Sequence, residues 1–218
     1  MDRRALVVVG AGPGVGASVA RRFAREGYDV GLVARSAARL DQLGAELTGL
    51  GVEADWCAVD VTDAAAFAAA LTRLAEHTGR VDVLHFNPSV FRAASVLELT
   101  AAELLEDVGL GIAPLLTALS ALRPFLVAGS RITVTGSLAA DRPSPAAPSL
   151  GVQKAGLRNL VRSVDATLAP AGIRAVCLTV SGVLAEGTAF SPDRVADAVH
   201  DAALRSDHEW RPEVTFDG

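Results

Sequence analysis

Residues 5–20 read ALVVVGAGPGVGASVA. A short β-branched run stops at the first of four glycines set at alternate positions, and apolar residues then return at helical spacing. The run predicts a buried strand and the later spacing a helix. Between them, Gly10, Gly12, Gly14 and Gly16 allow a tight turn and a close approach of backbone to a ligand. Val15 and Gly16 open the helix, whose free N–H groups and positive dipole end favour phosphate. A strand before such a turn, a helix after it and a second strand some twenty residues on is the context of a dinucleotide site.

The same alternation continues outward. Strands are predicted over 5–9, 30–34, 54–59, 81–86, 131–135, 173–180 and 210–216. Helices are predicted over 15–25, 37–50, from Thr62 as cap to about His77, from Thr100 onward, and over 151–168 and 192–204. Thr100 and Glu103 have the spacing of a capping box. Gly109, Gly111 and Pro114 predict a kink or break in the helix that follows. The proline-bearing stretch 141–149 is expected to be a loop. Strand–helix alternation of this kind implies an α/β fold, a doubly wound parallel sheet covered on both faces. No repeat or linker divides it, so 1–218 is expected to be a single domain.

Composition narrows the function classes. Half of the 218 residues are hydrophobic, 21% are charged and the net charge is −5, which suits a sizeable core and gives no basic patch for nucleic acid. Nineteen of the twenty basic residues are Arg; the one lysine is Lys154. The N-terminal apolar run ends at Gly10, too short for a signal peptide or a membrane span, and the expectation is a cytoplasmic protein with no membrane partner. Cys57 and Cys177 lie in strand-like runs and read as small buried hydrophobes, not metal ligands. His77, His200 and His208 read as surface residues near helix ends, and His85 as a packed core residue.

At the tip of the second strand an acid would accept a ribose 2′-hydroxyl. Here the residues are Ala34, Arg35 and Ser36. A guanidinium suits a 2′-phosphate, so the cofactor expected is NADP(H). The spacing G-x-x-x-G-x-G at Gly10, Gly14 and Gly16 resembles that of the short-chain dehydrogenase/reductase family, whose fold is of the Rossmann type. The resemblance implies that Asp60 and Val61 border the adenine. It also implies that Asn87, the survivor of a family Asn-Asn-Ala-Gly that here reads Phe86-Asn87-Pro88-Ser89, lies beside the cofactor. Val183 would face the nicotinamide amide with its backbone, and the family's substrate lid is shortened to the few residues between Gly182 and Ser191.

The resemblance breaks at the chemical centre. The family's Ser and Lys align with Ser137 and Lys154, its catalytic Tyr with Leu150, and the Asn of its long helix with Gly109. The chain's one tyrosine, Tyr28, precedes the second strand, far from that place. Asp141 and Arg142, in the loop between, read as solvated or as pocket residues. The expected function is an atypical NADP(H)-dependent oxidoreductase acting on a small organic carbonyl, imine or activated alkene. Lys154 would hold the ribose and Ser137 would orient the substrate. The alternatives are an NADP(H)-binding protein without turnover (a sensor, partner subunit or scaffold) and a non-redox enzyme reusing the pocket. The resemblance also implies a homodimer or homotetramer through residues 104–126, 156–168 and the last strand.

Overall fold

The run Ala5–Val9 is buried along its whole length. In the computed structural model, which describes residues 3–218, it is an interior strand of the sheet. Met1 and Asp2, part of the N-terminal stretch read above, lie outside the described residues. The strands are β1 Ala5–Val9, β2 Asp29–Ala34, β3 Ala54–Ala58, β4 Val81–Phe86, β5 Leu126–Ser137, β6 Arg174–Val180 and β7 Glu213–Phe216. The helices are α1 Val15–Arg25, α2 Ala37–Thr48, α3 Ala64–Thr78, α4 Ala101–Gly111, α5 Ala113–Leu122, α6 Pro148–Leu168 and α7 Pro192–Ala203.

The sheet order is β3-β2-β1-β4-β5-β6-β7, and every neighbouring pair is parallel. All carboxyl ends therefore lie on one edge. The chain winds outward from β1 to β3, then returns to place β4 on the other side of β1. That reversal leaves a crevice above the tips of β1 and β4, where open α/β sheets bind ligands. Alternation along β1 feeds two cores. Leu6 and Val8 pack with Phe23, Leu40 and Val199 of α1, α2 and α7. Val7 and Val9 pack with Phe67, Leu115 and Val161 of α3, α5 and α6.

Local chemistry sets the helix ends. Asp63, not Thr62, caps α3, accepting from the Ala66 amide at 3.1 Å, because Thr62 is held by the carboxylate of Asp60. Gly79, at φ 71°, closes the same helix in the left-handed region. The Thr100–Glu103 capping box is present in both directions. The long apolar helix breaks at Ile112, and Pro114 sits in the first turn of α5, where its missing N–H costs nothing. By length and hydropathy 101–122 could cross a membrane. Yet it buries Asp107 and breaks midway. Helix α6 begins at Pro148, earlier than expected, since proline is pre-organised for a first helical position. The last strand is shorter than expected, 213–216, and β5 longer. His200, read as a surface residue, is buried on α7, its ring 5.0 Å from that of Phe23.

Gly16 fixes how closely α1 can approach the end of β1. A Cβ there would fall well inside contact distance of the Gly10 carbonyl oxygen and 3.1 Å from the Ala11 Cα. Gly16→Ala must push the helix off the turn. Overpacking of this kind typically costs about 1–3 kcal/mol, and urea denaturation should show a loss in that range. A variant as stable as the parent would mean that the turn tolerates a side chain there.

Candidate dinucleotide site

The crevice above β1 and β4 opens into a cavity of about 490 Å³. Ligand sites generally fall within about 300–1,000 Å³. Four neighbouring strand tips contribute to its wall. Gly10, Gly12 and Pro13 come from the β1 turn, Arg35, Ser36 and Arg39 from beyond β2, Val59, Asp60 and Val61 from beyond β3, and the segment 87–90 from beyond β4. Leu110 of α4 completes the wall at the β4 end. Strands lie about 4.8 Å apart, so four tips span about 14 Å, an elongated trough.

Two glycines of the turn are required by conformation. Gly10 has φ 84° and Gly14 has φ 100°. A Cβ on Gly10 would also lie 3.1 Å from the Pro88 nitrogen. Asn87 explains that closeness: its amide donates to the Val9 carbonyl at 2.9 Å and its Nδ2 to the Gly10 carbonyl at 3.1 Å. Gly14 is the N-cap of α1 without any side-chain cap, and open space surrounds its missing Cβ. The first turn of α1 thus keeps its N–H groups free of side-chain partners.

The β2 end is strongly cationic. Neither Arg35 nor Arg39 makes a hydrogen bond or ion pair among the described residues. Both stand at the N-terminus of α2, whose first turn carries no acid and whose N-cap, Ser36, makes no side-chain cap bond. Positive charge at a helix N-terminus is unfavourable unless an anion neutralises it. Opposite them, hydrogen bonds from the Thr62 amide and hydroxyl, aided by the charge of Arg35, hold the Asp60 carboxyl below its usual range.

Residues expected at the chemical centre sit at the end of β5, one strand further along the same edge, outside the cavity wall. Ser137 ends β5, and its Oγ accepts from the Ala139 amide at 3.2 Å, leaving its proton free to donate. Lys154 of α6 is 5% exposed, and its Nζ donates to the Thr135 carbonyl at 2.8 Å. No carboxylate pairs with it among the described residues. Burial pulls its ammonium down to about 8. His85 is fully buried, with ring nitrogens 2.9 Å and 3.4 Å from the Thr133 and Thr135 hydroxyls; burial and the Lys154 charge drop it to about 3, so it is a neutral core residue. Burial likewise raises the Cys177 thiol to about 11. Cys57 is not the buried hydrophobe expected: half-buried, it accepts from Arg73 Nη2 at 2.9 Å.

Of the residues expected from sequence, Gly10, Gly12, Arg35, Ser36, Asp60, Val61 and Asn87 meet in one cavity. Gly14, Val15 and Gly16 form the adjoining helix start. Val183 is 86% exposed and stands apart from the wall. Its loop is tied to the C-terminal end of the chain, with Phe190 edge-on to Phe216 at 5.8 Å and the Ser181 hydroxyl donating to Asp217 at 2.7 Å. Asp141 is spent in a two-point pair with Arg158 at 2.6 and 2.7 Å. Sequence reasoning missed Pro13, Arg39, Val59, Pro88, Ser89, Val90 and Leu110. Arg39 was detectable, four residues after Arg35 on a helix; Val90 and Leu110 come close only through the fold.

An unpaired buried ammonium costs stability. Its pKa of about 8, against an ordinary 10.5, corresponds to a penalty of order 3 kcal/mol below pH 8, where both folded and unfolded chains carry the charge. The penalty fades as pH rises from 8 to 10.5, as the folded and then the unfolded amine deprotonates. Lys154→Met forfeits one hydrogen bond, worth about 1 kcal/mol, so denaturation at pH 7 should show it about 2 kcal/mol more stable than the parent. The gain should disappear by pH 10.5. A variant less stable at pH 7 would show that the ammonium is compensated.

The chain is similar to known proteins along nearly all its length. The model of the short chain dehydrogenase family matches residues 4–195. The oxidoreductase UcpA of Escherichia coli is 32% identical over 179 residues, covering 78% of this chain and 66% of UcpA. The cis-4-hydroxycyclohexanecarboxylate dehydrogenase of Sinomonas cyclohexanicum is 35% identical over 176 residues, covering 78% and 70%. Among solved structures, a short chain dehydrogenase of Burkholderia cenocepacia in complex with NADP superposes with a TM-score of 0.88 at 28% identity, covering 99% and 96% of the two chains. A dehydrogenase/reductase of Sinorhizobium meliloti, at 24% identity, shares the fold with a TM-score of 0.91 over 100% and 95%. With its glycine turn, parallel sheet order and family match in agreement, the chain belongs to the short-chain dehydrogenase family.

Proposed function

We propose that this protein binds NADP(H) in the trough and acts as an atypical oxidoreductase on a small organic carbonyl, imine or activated alkene. The observation that carries the cofactor reading is the pair Arg35 and Arg39 at the N-terminus of α2, neither engaged in a hydrogen bond or ion pair among the described residues, on the wall of the same cavity as the glycine turn. Two guanidiniums and a helix N-terminus suit a 2′-phosphate dianion. Asp60 and Val61 would border the adenine, and Gly12 with the start of α1 would take the pyrophosphate. Asn87 and the segment after it would flank the nicotinamide ribose. Solved relatives of the same fold in complex with NADP support the reading.

When bound, the cofactor supplies a hydride. The remaining work falls to this chain. Ser137 retains a donatable proton for a substrate oxygen. Lys154, beneath the end of β5, would hold the ribose hydroxyls once its Nζ turns from Thr135. Leu150 lies one helical turn before Lys154, in the place of the family tyrosine, and Gly109 stands where the family carries a helix asparagine. Neither can move a proton, so solvent or substrate must provide it. A positioned acid is worth about 10²–10⁴ in rate. The same two residues favour a second reading, an NADP(H)-binding protein without redox turnover. In either case we propose a cytoplasmic homodimer or homotetramer. The exposed Leu116, beside a groove of about 470 Å³ between α5 and α6, supports assembly through these helices.

Calorimetric titration with NADPH and NADH tests the cofactor. NADPH should bind tighter, and Arg35→Ala should lose most of the difference, about 1.5–3 kcal/mol for a charged hydrogen bond. Equal affinity of the parent for both cofactors would refute the assignment. A steady-state assay on a ketone panel tests the chemistry. The parent should bind NADPH yet reduce ketones poorly, and Leu150→Tyr should gain about tenfold or more, within the range for general acid catalysis. Changing Lys154 to Ala in the same variant should remove that gain. A parent that reduces simple ketones at ordinary enzyme rates would show that Leu150 does not mark a lost acid.

A further inference from the structure

The segment that follows β4 walls one end of the trough, yet it has no helix or strand from residue 87 to residue 95. A segment without regular structure must find partners for its backbone groups elsewhere. Here three side attachments hold it. Gln153 of α6, 1% exposed, pairs with both backbone groups of Val90. Its Oε1 accepts from the Val90 amide at 3.3 Å and its Nε2 donates to the Val90 carbonyl at 3.2 Å. Its Nε2 also donates to the Ser149 carbonyl at 3.3 Å, which fixes the side chain to its own helix. Two residues on, Arg92 reaches the buried Asp107 of α4 at 2.9 Å and also Glu103 at 3.1 Å. The Ala94 amide then donates to the Ala146 carbonyl at 3.1 Å.

Gly111 of α4 makes room for this arrangement, since a Cβ there would collide with Gln153 Oε1 and lie 3.1 Å from its Cδ. The amide is thus enclosed by α4, α6 and the segment it binds. It acts as a one-residue strand partner for Val90, and it immediately precedes Lys154 in the chain.

We infer that Gln153 is a positioning residue: its paired hydrogen bonds to Val90 hold the segment 87–94 as the wall of the nicotinamide half of the trough. This rests on the NADP(H) reading above. The strand order separates the two halves, because Arg35, Arg39 and Asp60 stand above β2 and β3, whereas Ser89 and Val90 stand above β4, beyond β1. A loosened segment should therefore weaken contacts to the nicotinamide ribose and spare the adenosine half.

The test compares two probes by calorimetry, NADPH and adenosine 2′,5′-bisphosphate, which reaches the β2–β3 half and the glycine turn but not the β4 end. Gln153→Met should weaken NADPH about tenfold, the scale of one to two neutral hydrogen bonds, with the bisphosphate unchanged. Hydrogen exchange at the Val90 amide should quicken in the same variant. Gly111→Ala, which displaces the amide without deleting it, should give the same selective loss and covers the case in which Gln153→Met fails to fold. A purely structural glutamine would weaken both probes alike, or neither; either result, or unchanged exchange at Val90, overturns the inference. A parent protein that binds neither probe overturns the cofactor reading itself.

Discussion

The structure depends on the contact between the ends of β1 and β4. Asn87 donates twice, from backbone to Val9 and from side chain to Gly10, and so forms the floor of the crevice that the sheet's reversal opens. Gly10 must lack a side chain for this to happen, and Gly16 must lack one for α1 to seat against the same turn. Each glycine costs conformational freedom, which the buried β1 and the two cores on either side of it offset. The trough is the space left above that junction. Its cationic end, its glycine floor and its walled end follow from which strand tip each segment leaves.

The two halves of the site differ in how they are maintained. At the β2 end the charges are exposed, unpaired and already where an anion would meet them. At the far end, polar groups are buried or half-buried and mutually engaged: Gln153 with Val90, Arg92 with Asp107, Lys154 with Thr135. Buried polar groups impose stringent geometry because leaving one unsatisfied is costly. Lys154 is the exception, an ammonium held without a counter-charge at the expense of stability. Strained or costly groups of this kind are characteristic of sites selected for function.

Much of this could be read from the sequence where short-range physics decides. The bounds of β1, α1 and β4 follow from buried apolar runs and from glycine, and Thr100 with Glu103 announced a helix start correctly. Errors arose where two neighbours compete for one role. Thr62 and Asp63 can both cap α3, and the carboxylate of Asp60 decided between them by taking Thr62. His200 sits near a helix end, which suggested the surface, but its face of α7 turns onto Phe23. The lining of the candidate site was legible in the turn and the β2 tip because motif spacing encodes them. The grip of Gln153 on Val90 joins residues 63 positions apart, and the loop anchored by Phe190 and Phe216 joins two chain segments that have no shared pattern.

A crystal structure of the protein with NADP⁺ tests the central claim most directly. The account predicts one dinucleotide lying across the tips of β3, β2, β1 and β4. Its 2′-phosphate should be within hydrogen-bond distance of Arg35 and Arg39, its adenine beside Asp60 and Val61, and its nicotinamide end against Ser89 and Val90. A nucleotide bound elsewhere, or one whose 2′-phosphate faces solvent with both arginines turned away, would contradict it.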